Sequence, residues 1–308
     1  MRRLIVNADD FGLTPGVNRA IVEGHERGIV TSTTLMANSS AFEEAAKMAA
    51  SLPRLSVGCH VMLVDGKPLL NPAQVPTLVV QDPVRVRATG SGAADQDCFR
   101  FPEGFGRVAS HALRGRLSAE QITAEATAQI RKLQVHGIRV SHLDTHKHTH
   151  ILFRVLEPLL RAAQACGVPA IRNPFPPLRP LGLAHLLRRP RLWKRYSGLK
   201  FLRRGAEKFR RAVAAAGMVT TDGTLGMVVT GALDERLLKA ILGSIPPGTW
   251  EFVCHPGYND RDLAGVRTRL RESRAQELQL LTSPEARQIL EKNGVELISY
   301  LDLGVSSQ

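Results

Sequence analysis

The 308-residue sequence predicts an α/β fold, an irregular (β/α) barrel of the TIM-like kind with seven or eight strands. Three observations lead there. Short runs rich in β-branched residues alternate with longer stretches of helical periodicity, the pattern of parallel strands joined by crossover helices. Seven or eight such units fit the chain, which suits a single barrel domain over residues 1–308 better than an open sheet. Ionisable residues gather where the strands end, and in parallel β/α folds these ends meet on the face that carries the active site.

The elements follow in order. Arg3–Ala8 reads as a strand, Val17–Arg27 as a helix closed by Gly28, Ile29–Met36 as a strand, Ala41–Ala50 as a helix and Leu55–His60 as a third strand. Residues 64–116 are rich in Pro, Gly and Asp with little periodicity, and read as an insertion or lid. Ser118 is a good N-cap for a helix over 119–136 that Gly137 stops. Arg139–Asp144 is a strand, Ile151–Ala165 a helix and Val168–Arg172 a strand. A basic insertion at 178–211 follows. Beyond it come a strand near Leu225–Thr230, a helix at Asp234–Leu242, a strand at Trp250–His255, a charged helix over 267–281, a helix opened by Pro284 and a last strand, Val295–Ser299.

Composition excludes several classes. Hydrophobic residues at 44% and charged residues at 22% are a globular balance, so disorder is not expected. No apolar run reaches the roughly 20 residues of a membrane-spanning helix. The N-terminus reads directly as a strand and is too short for a signal peptide, which leads to an expected cytoplasmic location. Cys59, Cys98, Cys166 and Cys254 form no CxxC pair and read as reduced core cysteines. The net charge of +13 is local: Arg188–Arg211 holds eleven Lys or Arg and one acid, Glu207. Within that segment Leu192, Trp193, Tyr196, Leu199, Phe201, Leu202 and Phe209 interleave with the basic residues, although Arg195 and Arg203 fall in the apolar stripe and Pro190 and Gly198 are expected to interrupt a helix. The segment reads as a solvated insertion packed partly on the barrel, or as a peripheral contact with an anionic membrane at its inner face. Nucleic acid is not an expected partner.

Five strand ends carry chemistry. Asp9 and Asp10 leave the first strand. Successive residues point to opposite sides, so one carboxylate can bind a metal while the other faces substrate; a helix cap or turn acid is the plainer alternative. His60 ends the third strand, and alone it would pass for a core histidine. His142, His146, His148 and His150 fall within nine residues. In an extended segment that spacing puts them on one side, where four core histidines would need four sets of partners. One ion cannot take all four, so the others orient, stack or contact substrate; Asp144, His148 and His150 are the expected substrate contacts. Arg172 and His255 end two further strands, and Pro256-Gly257 sets a tight turn after His255. His25, His111, His136 and His185 read as surface or capping residues.

These stretches together resemble the YdjC-like (ChbG) carbohydrate deacetylase family: Val6-Asn7-Ala8-Asp9-Asp10-Phe11-Gly12, Gly28-Ile29-Val30-Thr31-Ser32-Thr33-Thr34, Gly58-Cys59-His60, His142 through His150, and His255-Pro256-Gly257. Each motif is weak alone; the ordered set is specific. Cys59 stands where the family often has Leu or Met, and Thr145 where Ser is common. The resemblance implies an irregular (β/α) barrel that hydrolyses N-acetyl groups on amino sugars with one divalent metal. It implies Asp10, His60 and His146 as ligands, Asp9 as general base, His255 as the acid-side histidine, and Arg172 as a holder of the base or the substrate. The stretch Gly66 to Pro76 also resembles the hopanoid-biosynthesis (HpnK-type) branch, which implies a lipid-linked N-acetylglucosamine; a chitooligosaccharide is the alternative.

The expected reaction is thus metal-dependent removal of an acetyl group. Zinc is the expected ion, and the mixed donor set also accepts manganese, cobalt, nickel or magnesium. A metal-dependent phosphoesterase, a glycosidase using Asp9 or Asp10 with Asp144, and a non-enzymatic basic membrane- or nucleic-acid-binding barrel are the competing classes. A homodimer through the 64–116 insertion is a further expectation.

Overall fold

The computed structural model describes residues 1–82, 98–177 and 190–303. Its centre is β1 (Arg2–Phe11). One edge of β1 pairs in parallel with β8 (Gly248–Cys254) from Arg2 to Ala8. The other edge is shared: β9 (Val295–Ile298) takes Arg2–Ile5, and β2 (Ser32–Leu35) takes Asn7 onward. The order continues from β2 to β3 (Ser56–Val61) and β6 (Leu143–Thr145) on one side, and from β8 to β7 (Gly223–Leu225) on the other. Single bridges carry the curl onward, Leu143 to Ile171 and Ala170 to Val219. The Thr224 N–H then donates to the Phe175 carbonyl at 2.9 Å. The parallel sheet therefore curls round on itself with helices outside, an irregular (β/α) barrel.

The pleat of β1 shows which side is which. Leu4, Val6 and Ala8 pack into the large core beneath the helices. Ile5 points the other way and packs with Ala170, Ile298 and Tyr300. Alternation then sends Asn7 and Asp9 to the same inner side as Ile5. The barrel interior is thus an apolar floor topped by polar residues, and the polar layer rises toward the strand C-termini.

Local signals place the helices. In α1 (Pro15–Arg27), Thr14 caps Val17 N–H, Pro15 occupies the first position and Gly28 ends the helix, as helix-start and helix-stop chemistry requires. α2 spans Phe42–Ala50. The 64–116 insertion holds a short antiparallel pair, β4 (Val80–Gln81) with β5 (Phe99–Arg100), and α3 (Phe105–Leu113); residues 83–97 lie outside the described residues. Ser118 caps α4 (Ala119–Val135), and Gly137 follows at φ 78°. α5 is Phe153–Ala165.

Several boundaries differ from the sequence reading. The second strand begins only at Ser32, because Ile29 and Val30 are held in a turn by Leu281 and Gly24 carbonyls. The strand expected at Val168–Arg172 is reduced to single bridges. The strand expected to reach Thr230 stops at Leu225: Gly226 turns at φ 93°, packed where a Cβ would meet the Val253 carbonyl oxygen at 2.4 Å, and Met227–Val229 form a 3-10 turn. In the basic insertion, residues 178–189 lie outside the described residues. Pro190 does not interrupt a helix but opens α6 (Pro190–Leu202), where its missing N–H is no loss, and Gly198 sits within that helix. α7 (Ala206–Ala215) follows. Beyond β7 come α8 (Glu235–Leu242), α9 (Arg261–Ala264), α10 (Glu272–Leu281) and α11 (Pro284–Lys292). The charged helix is shorter than expected because residues 267–270 leave the helical path and line a cleft. Among the described residues no helix is long and apolar enough to cross a membrane.

Candidate active site

The strand ends open into a cavity of about 660 Å³. Its lining combines Asp9, Asp10, His60, His146, His148, His255 and Arg274 with the apolar Leu13, Met36, Met62, Met227 and Leu270 and the basic Lys147, Arg195, Arg267 and Arg269. The pairing of β1 with β2 is irregular between Ala8 and Phe11. Asp9 and Asp10 fall in that irregularity, and Asp10 adopts a left-handed φ of 71°. The two carboxylates consequently leave the strand toward different partners.

Asp10, His60 and His146 each bring one donor atom to a common point. Asp10 Oδ1 lies 3.3 Å from His146 Nδ1 and 3.6 Å from His60 Nε2, and the two histidine nitrogens are 3.3 Å apart. Donors on a tetrahedral ion at about 2.1 Å would stand roughly 3.4 Å from one another. Asp10 Oδ1 is buried and accepts no hydrogen bond, as befits an atom kept for a cation. The residues thus fit a divalent metal. Behind His60, Asp144 Oδ1 is 2.7 Å from Nδ1, the carboxylate–imidazole arrangement that orients metal-binding histidines. Burial pulls the His60 pKa down, but the carboxylates of Asp144, Asp9 and Asp10 together outweigh it and push it up to about 9.

A second group, Asp9 with His60 and Asp144, is taken by a cation already. The fully buried Arg172 donates to Asp9 Oδ1 at 2.6 Å and Oδ2 at 2.8 Å, to Glu251 Oε1 at 2.8 Å through Nε, and to Asp144 Oδ2. Asn7 adds a donor to Asp9 Oδ1 at 2.9 Å. Burial alone would raise the Asp9 pKa; Arg172 overrides it and holds the carboxyl well below the usual carboxylate range. Tyr300 donates to Glu251 Oε2 at 2.7 Å and its ring stacks on His142, centroids 3.6 Å apart.

His255 Nε2 lies 3.9 Å from Asp9 Oδ2, on the cavity side. Burial lowers its pKa to about 4, so the imidazole is neutral at rest. Its backbone N–H donates to Glu277 Oε2 at 2.6 Å. Burial pushes the Glu277 pKa up to about 7. Arg274 donates to Asp10 Oδ2 and holds that carboxyl low against the raising effect of burial.

The structure brings Asp9, Asp10, His60, His146, His148 and His255 to one cavity, with Arg172 directly beneath. It separates the remaining histidines. The run from His146 to Ile151 is not extended: it is a 3-10 segment with Lys147 and His148 in left-handed conformations, so the two-residue spacing does not put the side chains on one face. His142 points into the barrel, between Ser141 and Asn7. His148 faces the cavity, and burial lowers its pKa to about 3. His150 is fully buried, bonded to Thr145 Oγ1 at 2.7 Å, with Phe209 beside it. Asp144 is also fully buried, its two oxygens engaged by His60 and Arg172. Sequence reasoning missed Glu251, Arg274, Glu277 and Tyr300. The last three lie off the strand ends, and nothing in a charged helix marks the two residues that turn inward.

This geometry can be set beside known proteins. Residues 3–292 match the profile described as YdjC-like protein. The chain belongs to that family. A carbohydrate deacetylase of Thermoanaerobacter pseudethanolicus is 28% identical over 300 residues, covering 97% of this chain and 98% of that protein. Carbohydrate deacetylases of Halalkalibacterium halodurans and Geobacillus stearothermophilus are each 31% identical, covering 91% and 97% of this chain and 95% and 97% of theirs. A crystal structure from Enterococcus faecalis V583, described as a cellobiose-phosphate cleavage protein, superposes with a TM-score of 0.72 at 26% identity, covering 97% of both chains.

Proposed function

We propose that the protein is a carbohydrate deacetylase that uses a divalent metal held by Asp10, His60 and His146 to hydrolyse the N-acetyl group of an amino sugar. The observation that carries the reading is the convergence of three donor atoms within 3.3–3.6 Å of one another, beside a carboxylate that Arg172 keeps ionised. Bound there, the metal would polarise the acetyl oxygen and lower the pKa of the attacking water.

The chain's own residues supply the proton transfers. Asp9 accepts the proton as a water O–H bond breaks and the oxygen bonds the acetyl carbon. Arg172 and Asn7 fix the orientation of that carboxylate. His255 is neutral at rest and has no surplus proton to bring. The proton it delivers to the amine nitrogen, as the C–N bond breaks, is the one lost by the water and taken up by Asp9; His255 Nε2 stands 3.9 Å from Asp9 Oδ2, so the imidazole must close to hydrogen-bond distance before it receives that proton. Acetate and a free amino sugar result. Asp144 and Glu251 act as positioning residues behind His60 and Arg172. His148, which lines the cavity, would contact the sugar, and His150 supports the segment from within.

The competing chemistries fit less well. A two-metal phosphoesterase needs a second ion site, and Arg172 fills the second cluster. A glycosidase needs one carboxyl kept protonated, and Asp9 and Asp10 are each salt-bridged to an arginine. The apolar side chains Leu13, Met36, Met62, Met227 and Leu270 in the cavity lining support a lipid-linked amino sugar over a chitooligosaccharide. α6 lines the same cavity through Arg195, Gly198 and Leu202 and exposes Trp193, Phe201 and Leu202, which supports a peripheral contact with an anionic membrane.

The test is acetate release from metal-stripped protein, with zinc, manganese, cobalt, nickel or magnesium restored in turn. The panel holds chitooligosaccharides and a membrane-lipid glycoside of N-acetylglucosamine. Metal-restored acetate release is expected, with the glycolipid preferred. No acetate from any substrate while metal is bound would overturn the reaction. Preference for the soluble sugars would overturn only the lipid assignment. Equal pelleting with anionic liposomes before and after Trp193→Ala and Phe201→Ala would remove the membrane contact.

A further inference from the structure

Arg274 and Glu277 stand one turn apart on α10, both buried; Arg274 lines the cavity and Glu277 accepts the His255 backbone N–H, although neither lies at a strand end. Arg274 is fixed at both ends. Its backbone carbonyl accepts the Gly257 N–H at 3.2 Å. Its side-chain stem packs so closely on Gly257 that a Cβ there would lie 2.9 Å from Arg274 Cδ. At the far end Nε donates to the Leu270 carbonyl at 3.3 Å and Nη2 donates to Asp10 Oδ2. Asp10 meanwhile sits at φ 71°, a conformation that costs a non-glycine residue free energy unless its surroundings impose it.

We propose that Arg274 is a positioning residue for the metal-ligand set, occupying Oδ2 of Asp10 so that Oδ1 alone faces His60 and His146. This rests on the metal centre proposed above. A guanidinium can hold the Leu270 carbonyl and the Asp10 carboxylate at once through separate N–H groups; the single ammonium of lysine cannot reproduce that fork. Charge by itself acts in the opposite sense. A cation beside a bound dication repels it, so removing the cation would tighten binding were charge all that mattered. The sign of the change in metal affinity therefore separates positioning from charge.

The experiment titrates zinc alone into the full-length chain against a chromophoric chelator, for wild type, Arg274→Gln, Arg274→Lys and Glu277→Gln, with the metal-free Tm of each recorded. Both Arg274 variants are expected to lose about 10–100-fold in zinc affinity, the range for outer partners of metal ligands. Glu277→Gln, on the same helix face but not touching Asp10, is expected to bind as wild type does. If the Gln variant fails to fold, the Lys variant carries the comparison. Zinc binding by the Gln variant as tight as wild type, full rescue by lysine, or an equal loss in Glu277→Gln would each overturn the proposal. Wild type that binds no zinc would remove the metal centre itself and this role with it, whereas tight binding in wild type and both Arg274 variants removes the positioning role alone.

Discussion

Asp9 and Asp10 are neighbours in the chain and answer to different arginines. Arg172, from the barrel interior, takes both oxygens of Asp9; Arg274, from an outer helix, takes one oxygen of Asp10. That division gives the two carboxylates different work. Asp9→Asn is expected to keep zinc affinity, since Asp9 supplies no ligand atom, and to lower kcat about 10²–10⁴-fold as a lost general base does; full turnover would remove the role. Arg172 serves three buried carboxylates, Asp9, Asp144 and Glu251. Its removal leaves charges unpaired out of water. Arg172→Met should therefore cost about 3–5 kcal/mol of stability in urea unfolding, and a loss below about 1 kcal/mol would mean that water reaches the site. Glu277 sets a pH dependence. Below about pH 4.5 it is protonated folded and unfolded, and contributes nothing. Between there and about pH 7 the unfolded chain ionises while the buried site holds its proton, so stability falls as pH rises, by up to about 3 kcal/mol. Comparing wild type with Glu277→Gln from pH 4 to 8 should show the difference growing in favour of the variant across that window; parallel curves would place the Glu277 pKa at its ordinary value.

At the scale of elements, close approach explains residues whose chemistry is silent. Gly58 in β3 lies under the His142 ring, where a Cβ would come within 2.5 Å of Cε1. His142 in turn is pinned by Tyr300 on one face and Asn7 at Nε2, and Asn7 is a donor to Asp9. Gly58→Ala should therefore cost about 1–3 kcal/mol by overpacking, seen as a lower Tm, and should also reduce kcat by displacing Asn7. An alanine variant with wild-type Tm and kcat would show that the ring can move freely. The glycine of Gly58-Cys59-His60 thus belongs to packing and the histidine to chemistry, though they stand two residues apart. Gly257 has the same relation to Arg274. It is the helix α10, invisible as a site element in the sequence, that ties the loop after β8 to the end of β1.

For the whole molecule, the ligands come from β1, β3 and the segment after β6, so a bound ion would staple three separated parts of the barrel. A ligand that binds only the folded state stabilises it by mass action, about 4 kcal/mol at a thousandfold excess over Kd. Chelation is expected to lower the Tm reversibly, with recovery on adding zinc, and the Asp10→Asn variant is expected to show no such response. An unchanged Tm on chelation of protein shown to contain metal would mean that the ion bridges nothing the fold depends on.

The alternation of β-branched runs and helical stretches, the cap at Ser118, and the strand-end positions of Asp9, Asp10, His60 and His255 were legible along the chain, because pleat, helix period and capping are local properties. The ordered motifs also carried the family. What the chain could not show was direction. The four histidines of 142–150 look equivalent as a spacing pattern, yet with Lys147 and His148 in left-handed conformations the run is not extended; His146 and His148 reach the cavity while His142 and His150 are buried among protein partners. Asp144 reads as a group open to substrate and lies buried between His60 and Arg172, since a side chain's surroundings come from strands remote in sequence. Arg274, Glu277 and Tyr300 join the site from 264, 22 and 49 residues away from the partners they bind. Sequence determined which chemistry gathers at the strand ends. The tertiary structure decided which carboxylate each arginine neutralises, because burial and pairing exist only once distant segments have packed together.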